Sequence, residues 1–228
     1  MDPRTGARAA PAAALRRRPW HPPRVSAVAT DPYREAVWEA VPAGAVPERF
    51  EERRRLLLAA LGPGERVLDV GCGEGAFAAA AQGAGCHAVG VDVAREALRR
   101  AAAAHPGPEY RLWPALAPLP AGDGEFDVAW AGEVVEHVVD PFAVLEEVHR
   151  ALRPGGRLLA TTPAHPLARR LRLALSERAF EEHFNVRADH LRFFTARSLR
   201  ALLADLGFAD VRVATRARAF LVARARRA

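Results

Sequence analysis

The chain has no lysine, one methionine and two cysteines among its 228 residues, and aromatic residues make up only 7% of it. With only Cys72 and Cys86, no disulfide framework can carry the fold, so reduced thiols are expected. No apolar run approaches the length needed to span a bilayer. No compact apolar segment near the start resembles a secretory signal either, and a cytoplasmic protein with no membrane span is expected. All 33 basic residues are arginine, which together with heavy alanine, glycine and proline usage reads as a bias of the whole sequence. The net charge of +6 is concentrated at the ends: six arginines against one acid up to Thr30, and six against none from Val211 onward. The stretch between them carries about −5. An acidic body does not favour a groove that tracks phosphates, so a nucleic-acid partner is not expected.

Half of the residues are hydrophobic, enough at this length for one good core. Residues 1–31 are rich in proline, alanine and arginine and lack the periodicity of a packed element, so they are expected to form a disordered extension. Their arginines and scarcity of acids also suit an organelle transit segment, although Pro11, Pro19, Pro22 and Pro23 would interrupt its amphipathic helix. The folded domain is expected over 32–228. Phe50, Leu56, Leu57, Leu58 and Leu61 suit an amphipathic helix covering a sheet. Tyr33 and Trp38, just ahead of it, either close a site or simply pack.

Residues 67–77 read V-L-D-V-G-C-G-E-G-A-F. Val67, Leu68 and Val70 look like a buried strand of a parallel sheet. Gly71, Gly73 and Gly75 leave the following turn bare and free to adopt positive φ. A second strand, Ala88 to Val91, delivers Asp92 where a carboxylate can accept both hydroxyls of a ribose. The dinucleotide fingerprint is G-x-G-x-x-G with a pyrophosphate on the helix N-terminus; here the spacing is G-x-G-x-G. Asp69 stands before the first glycine and Glu74 inside the loop, so two carboxylates occupy the region where a pyrophosphate would lie. Their charge suits a cation.

On these residues the chain resembles the class I S-adenosylmethionine-dependent methyltransferases, over roughly Phe50 to the C-terminus. The resemblance implies a doubly wound, Rossmann-like α/β fold with a seven-stranded sheet ending in an antiparallel hairpin. It also implies S-adenosylmethionine as cofactor, with Asp69, Gly71, Cys72, Gly73 and Gly75 on its methionine part and Asp92 with Val93 on its ribose. Later segments fit in order. Phe126 to Trp130 suits the fourth strand, and Asp140-Pro141 caps a helix running to about Leu152. Arg153-Pro154-Gly155-Gly156 turns into a strand from Arg157 to Thr161. Thr195 caps a helix closed by Gly207, and Val211 to Ala214 can pair with Ala219 to Ala223. One feature departs from the pattern: Leu119-Pro120 is present, yet Trp113 to Pro118 contains no acid for the adenine amino group. Backbone groups or Trp113 would have to substitute.

Glu133-Val134-Val135-Glu136-His137 follows the fourth strand, with spacings that place both glutamates and the histidine on one side of a helical turn. With His190 further on, the segment is similar to the E-x-x-E-H motif and later histidine of ubiquinone-biosynthesis O-methyltransferases and small-RNA 2′-O-methyltransferases. That similarity implies Glu133, Glu136, His137 and His190 as ligands of a divalent metal. Mixed carboxylate and imidazole donors suit manganese, zinc or, less naturally, magnesium. Many similar methyltransferases carry the segment with no metal, and His137 or His190 would then act as general base. His183 rivals His190 as the later ligand; His149 and His165 look like helix-surface and loop residues.

The expected function is O-methylation of a small hydroxyl-bearing acceptor, with residues 163–194 capping its pocket. The arginines of 168–178 suit either an acidic acceptor group or a solvated amphipathic helix. The alternatives are an RNA 2′-O-methyltransferase, an N- or C-methyltransferase of a small molecule, a nicotinamide oxidoreductase and a non-catalytic cofactor-binding module.

Overall fold

The computed structural model describes residues 32–114, 117–184 and 190–228. The expected disordered extension lies outside the described residues. Seven strands form one sheet: β1 (Arg66–Val70), β2 (His87–Asp92), β3 (Glu109–Leu112), β4 (Phe126–Gly132), β5 (Leu152–Pro163), β6 (Phe208–Arg216) and β7 (Phe220–Arg227). Their order is β3-β2-β1-β4-β5-β7-β6, with β1 to β5 parallel and β7 antiparallel to both neighbours. This is the Rossmann-like sheet with its closing hairpin. Strand order reverses between β1 and β4, and a crevice opens at the carboxyl ends of strands at such a switch point.

The described helices are α1 (Pro32–Ala40), α2 (Phe50–Leu58), α3 (Ala76–Gly83), α4 (Arg95–Ala104), α5 (Pro141–Ala151), α6 (Leu167–Leu175), α7 (Glu177–His183) and α8 (Ala196–Asp205). Strand side chains alternate between faces, and the core divides accordingly. Leu68, Val70, Ala129, Ala131, Leu158 and Ala160 pack with Leu145 and Val148 of α5 and Leu199 and Leu203 of α8. Val67, Val128, Trp130 and Leu159 face the other way, against Leu57 of α2 and Phe77, Ala78 and Ala81 of α3. At the amino ends of the strands, ion pairs tie neighbours together: Arg157 meets both oxygens of Glu65 at 2.7 and 2.6 Å, and Arg66 and Arg111 share Glu125.

The helix caps follow the sequence. Asp140 accepts the amides of Phe142 and Ala143 at the start of α5, and Thr195 with Ser198 forms a reciprocal capping box on α8. The helix expected from Phe50 forms as α2, and Pro42, Gly44 and Pro47 separate it from α1 ahead of it. One detail differs from the expectation. The Arg153–Gly156 turn lies inside the β5 ladder: Leu152 already pairs with Phe126, Arg157 pairs with Val128, and the four residues between bulge out.

Trp130 is 1% exposed and packs on Phe77 with ring centroids 5.1 Å apart. Replacing Trp130 by alanine should lower the unfolding free energy by about 3–5 kcal/mol, read from urea denaturation.

Candidate active site

Asp69 and Asp92 are both buried at the carboxyl ends of β1 and β2. Asp69 accepts the Ala78 amide at 2.9 Å, tying its strand to the first turn of α3. Burial pushes the Asp69 carboxyl up to about 8 against the lowering effect of that hydrogen bond, and the Asp92 charge adds to the rise. Asp92 accepts the Gly73 amide at 2.9 Å on one oxygen and the Ala94 amide at 3.0 Å on the other. Burial raises its carboxyl too, against those amides. Each oxygen still has a lone pair for a further donor. Val93 is half-buried next to it, and Cys72 is buried as a free thiol that burial holds well above the ordinary range.

The three loop glycines have φ of +63°, +53° and +79°. A β-carbon would come within 2.8 Å of Val134 at Gly71 and 2.7 Å of the Trp38 ring at Gly73, and would strike the Tyr110 hydroxyl at Gly75. The glycines therefore serve close packing as well as the turn, and Trp38 lies directly against the loop. Helix α1 is pinned there. Glu35 accepts the Arg95 and Glu96 amides at 2.8 and 3.2 Å, capping α4, and Arg34 donates to the His137 carbonyl at 3.0 Å. Glu74 does not play the part its sequence position suggests. Its carboxylate accepts the Gly44 amide at 2.7 Å and Arg100 at 3.2 Å, so its charge is neutralised within the protein instead of facing a cation.

Residues 133–137 do not form a helix. Glu133 has φ of +59° at the end of β4, and a single turn follows in which the His137 amide donates to the Val134 carbonyl at 2.9 Å. Helical spacing is thus the wrong account of how these side chains meet. Glu136, His137 and His190 converge, with one donor atom from each lying within 4.8 Å of the others. The Leu191 and Arg192 amides donate to the Glu136 carbonyl at 2.7 and 3.0 Å and bring His190 there, its ring 4.7 Å from that of His137. Glu133 does not join this set and lines the adjoining cavity.

Glu136 is 1% exposed, and neither of its oxygens has a hydrogen-bond partner among the described residues. Burial pushes its carboxyl up to about 8, and the Glu133 charge adds to the rise. A buried carboxylate with no donor is costly, and a cation between it and two imidazoles would remove that cost, so the donor set fits a divalent ion. His183 is not part of it: its Nε2 lies 3.0 Å from Nε2 of His165. His149 is half-buried, its ring edge-on to Phe208 at 4.7 Å, and not on the surface as its sequence position suggests. Trp113 donates its indole N–H to Ala117 at 2.9 Å.

A cavity of about 390 Å³ adjoins the cluster, between α2, the end of β5, α6 and the β6–β7 turn; Glu133 and His190 lie on its wall. Two of its residues are not evident from the motifs. Arg53 is 3% exposed, its guanidinium lies over the Phe77 ring at 5.3 Å, and its charge acts on Glu133 and Glu136. The signal was present in the spacing, since Phe50, Arg53 and Leu57 share one stripe of α2. Arg218, at the hairpin turn, offers no such signal.

A family model described as a methyltransferase domain matches residues 43–213. The chain belongs to the class I S-adenosylmethionine-dependent methyltransferase family. It is 38% identical over 103 residues to a ubiquinone biosynthesis O-methyltransferase of Thiobacillus denitrificans, covering 43% of this chain and 44% of that protein. It is 36% identical over 99 residues to a malonyl-[acyl-carrier protein] O-methyltransferase of Erwinia billingiae, covering 43% and 39%. The matches thus span less than half the length of these two relatives. Among solved structures, an S-adenosylmethionine-dependent methyltransferase of Mesorhizobium loti is similar at a TM-score of 0.58 and 26% identity, covering 81% of this chain and 99% of that one.

For this family member without cofactor, the raised Asp69 carboxyl sets a pH dependence. Between the ordinary carboxylate range, near 4, and about 8, the folded state holds a proton that the unfolded state has lost. Stability from this group is therefore full below about 4, is lost progressively as pH rises toward 8, and is level above that. Urea midpoints measured from pH 5 to 8 should decline, and Asp69→Asn, which keeps an acceptor for Ala78, should make the decline shallower.

Proposed function

We propose that this chain is an S-adenosylmethionine-dependent methyltransferase that methylates oxygen on a small hydroxyl-bearing acceptor in the cytoplasm. The observation that carries the reading is the convergence of Glu136, His137 and His190 beside a cavity of small-molecule size. The ubiquinone-biosynthesis and malonyl-carrier relatives, both O-methyltransferases by name, support transfer to oxygen.

In this reading the glycine loop, Cys72 and Asp69 hold the methionine part of the cofactor, and the free lone pairs of Asp92, with Val93 beside it, take the ribose. Trp38 and α1 close over the loop and keep water out. Bound S-adenosylmethionine supplies an already activated methyl, so alignment provides much of the rate. The remaining difficulty is the acceptor, because a neutral hydroxyl is a poor nucleophile. Glu136, His137 and His190 would hold a divalent ion, which stabilises an oxyanion and orients it. Two imidazoles among the donors favour manganese or zinc over magnesium. Glu133 and Arg53 set the local field, and Glu133 is placed to accept a hydrogen bond from a hydroxyl bound in the cavity. Where no ion is held, His137 or His190 takes the hydroxyl proton.

Calorimetric titration of Mn²⁺ into protein saturated with S-adenosylhomocysteine should give one-site binding. Glu136→Gln, which keeps the shape and removes the charge, should weaken it at least tenfold. Binding of S-adenosylhomocysteine without any manganese uptake would discard the ion and leave a histidine base. Failure to bind S-adenosylhomocysteine at all would sink the methyltransferase reading.

A further inference from the structure

The cavity beside Glu133 and His190 is built from strained backbone. Five non-glycine residues among those described adopt positive φ, and four of them, Arg49, Glu133, Ala217 and Arg218, line this one cavity. Such conformations persist where the surrounding structure over-determines them, and they cluster at ligand sites. Here the strain falls on residues that present charge: three of the four, Arg49, Glu133 and Arg218, are ionisable.

Four arginines and two glutamates, Glu48 and Glu133, line this space. Two of the arginines are compensated. Arg49 lies 3.3 Å from Glu52, and buried Arg53 donates to the Glu48 carbonyl and feels the charges of Glu133 and Glu136. The other two are not. Among the described residues neither Arg169 nor Arg218, both exposed on the cavity wall, forms an ion pair with a carboxylate. Arg169 reaches only Nδ1 of His183, at 3.4 Å. Two uncompensated guanidinium groups in one concave site, each a planar fork of donors, suit a carboxylate or a phosphate and have no use for a neutral ligand.

We propose that the acceptor is a small hydroxylated anion, held through its carboxylate or phosphate by Arg169 and Arg218 while its hydroxyl lies toward His190 and Glu133. The assignment rests on the proposed methyl transfer and narrows its substrate class. A volume of about 390 Å³ admits a single small ring or a short polyol and its charged group. The arginine-bearing face of α6 thus acquires a role for Arg169 beyond solvation, and the left-handed turn at Ala217 and Arg218 is what places the second guanidinium.

The test is calorimetry on protein saturated with S-adenosylhomocysteine, using matched charged and neutral vicinal diols. One pair is 3,4-dihydroxybenzoate and its amide; the other is glycerol 1-phosphate and glycerol. At least one anion should bind tenfold or more tightly than its neutral partner. Which pair discriminates distinguishes carboxylate from phosphate. The double substitution Arg169→Gln with Arg218→Gln should bring the pair to parity and leave S-adenosylhomocysteine affinity unchanged. Equal binding of both members of each pair, no binding by either anion, or discrimination that survives the double substitution would each overturn the assignment. Loss of S-adenosylhomocysteine binding in the unaltered protein would instead remove the methyltransferase reading on which it rests.

Discussion

Three carboxyl groups, on Asp69, Asp92 and Glu136, are taken out of water at the carboxyl edge of one sheet, and the arrangement around them follows from that constraint. A buried carboxylate must find donors, a cation or a proton. Asp69 and Asp92 find backbone amides, of Ala78 in one case and of Gly73 and Ala94 in the other. Those bonds fix the glycine loop between two strands and the first turn of α3, so the groups expected to meet the cofactor also shape the pocket. Glu136 finds no hydrogen bond at all among the described residues. Its surroundings offer two imidazoles, the side chains of Thr162 and Glu133 and, further off, Arg53, and burial drives its carboxyl toward the protonated form.

The framework was legible because its signals are local and redundant. The apolar run of a strand buried on both faces at Val67 to Val70, the Asp140 cap, the Thr195 capping box and the glycine after α8 each act within a few residues of the chain, and each stands where its spacing says. The break between α1 and α2 is equally local, at Pro42, Gly44 and Pro47. The β5 bulge was harder to read, because Arg153 to Gly156 has the composition of a turn and only its pairing partners, Phe126 and Val128, reveal that the ladder runs through it.

The site was legible by residue type and not by geometry. The E-x-x-E-H spacing suggested helical convergence, whereas the side chains meet through a tight turn entered from a left-handed Glu133 and through two amides that tie residues 191 and 192 to Glu136. Neither device leaves a periodic trace. Glu74 shows the opposite failure. Its position in the loop suggested a charge facing the cofactor, but Arg100, 26 residues away in sequence, lies beside it and takes that charge. Pairing across sequence distance is invisible to a local reading, which is also why only the folded arrangement brings Arg169 and Arg218 to the wall of one cavity.

The turn at 133–137 connects the two halves of the crevice. On one side Val134 packs against Gly71 of the cofactor loop, and the His137 carbonyl receives Arg34 from the helix that carries Trp38. On the other, Glu133 faces the cavity and Glu136 and His137 face His190. Packed contacts of this kind have few intermediate arrangements, so a shift of α1 that opens the glycine loop must also disturb the carbonyl that Arg34 holds. Because that carbonyl belongs to His137, the packing of α1 on the glycine loop and the position of the cluster formed by Glu136, His137 and His190 depend on the same short turn.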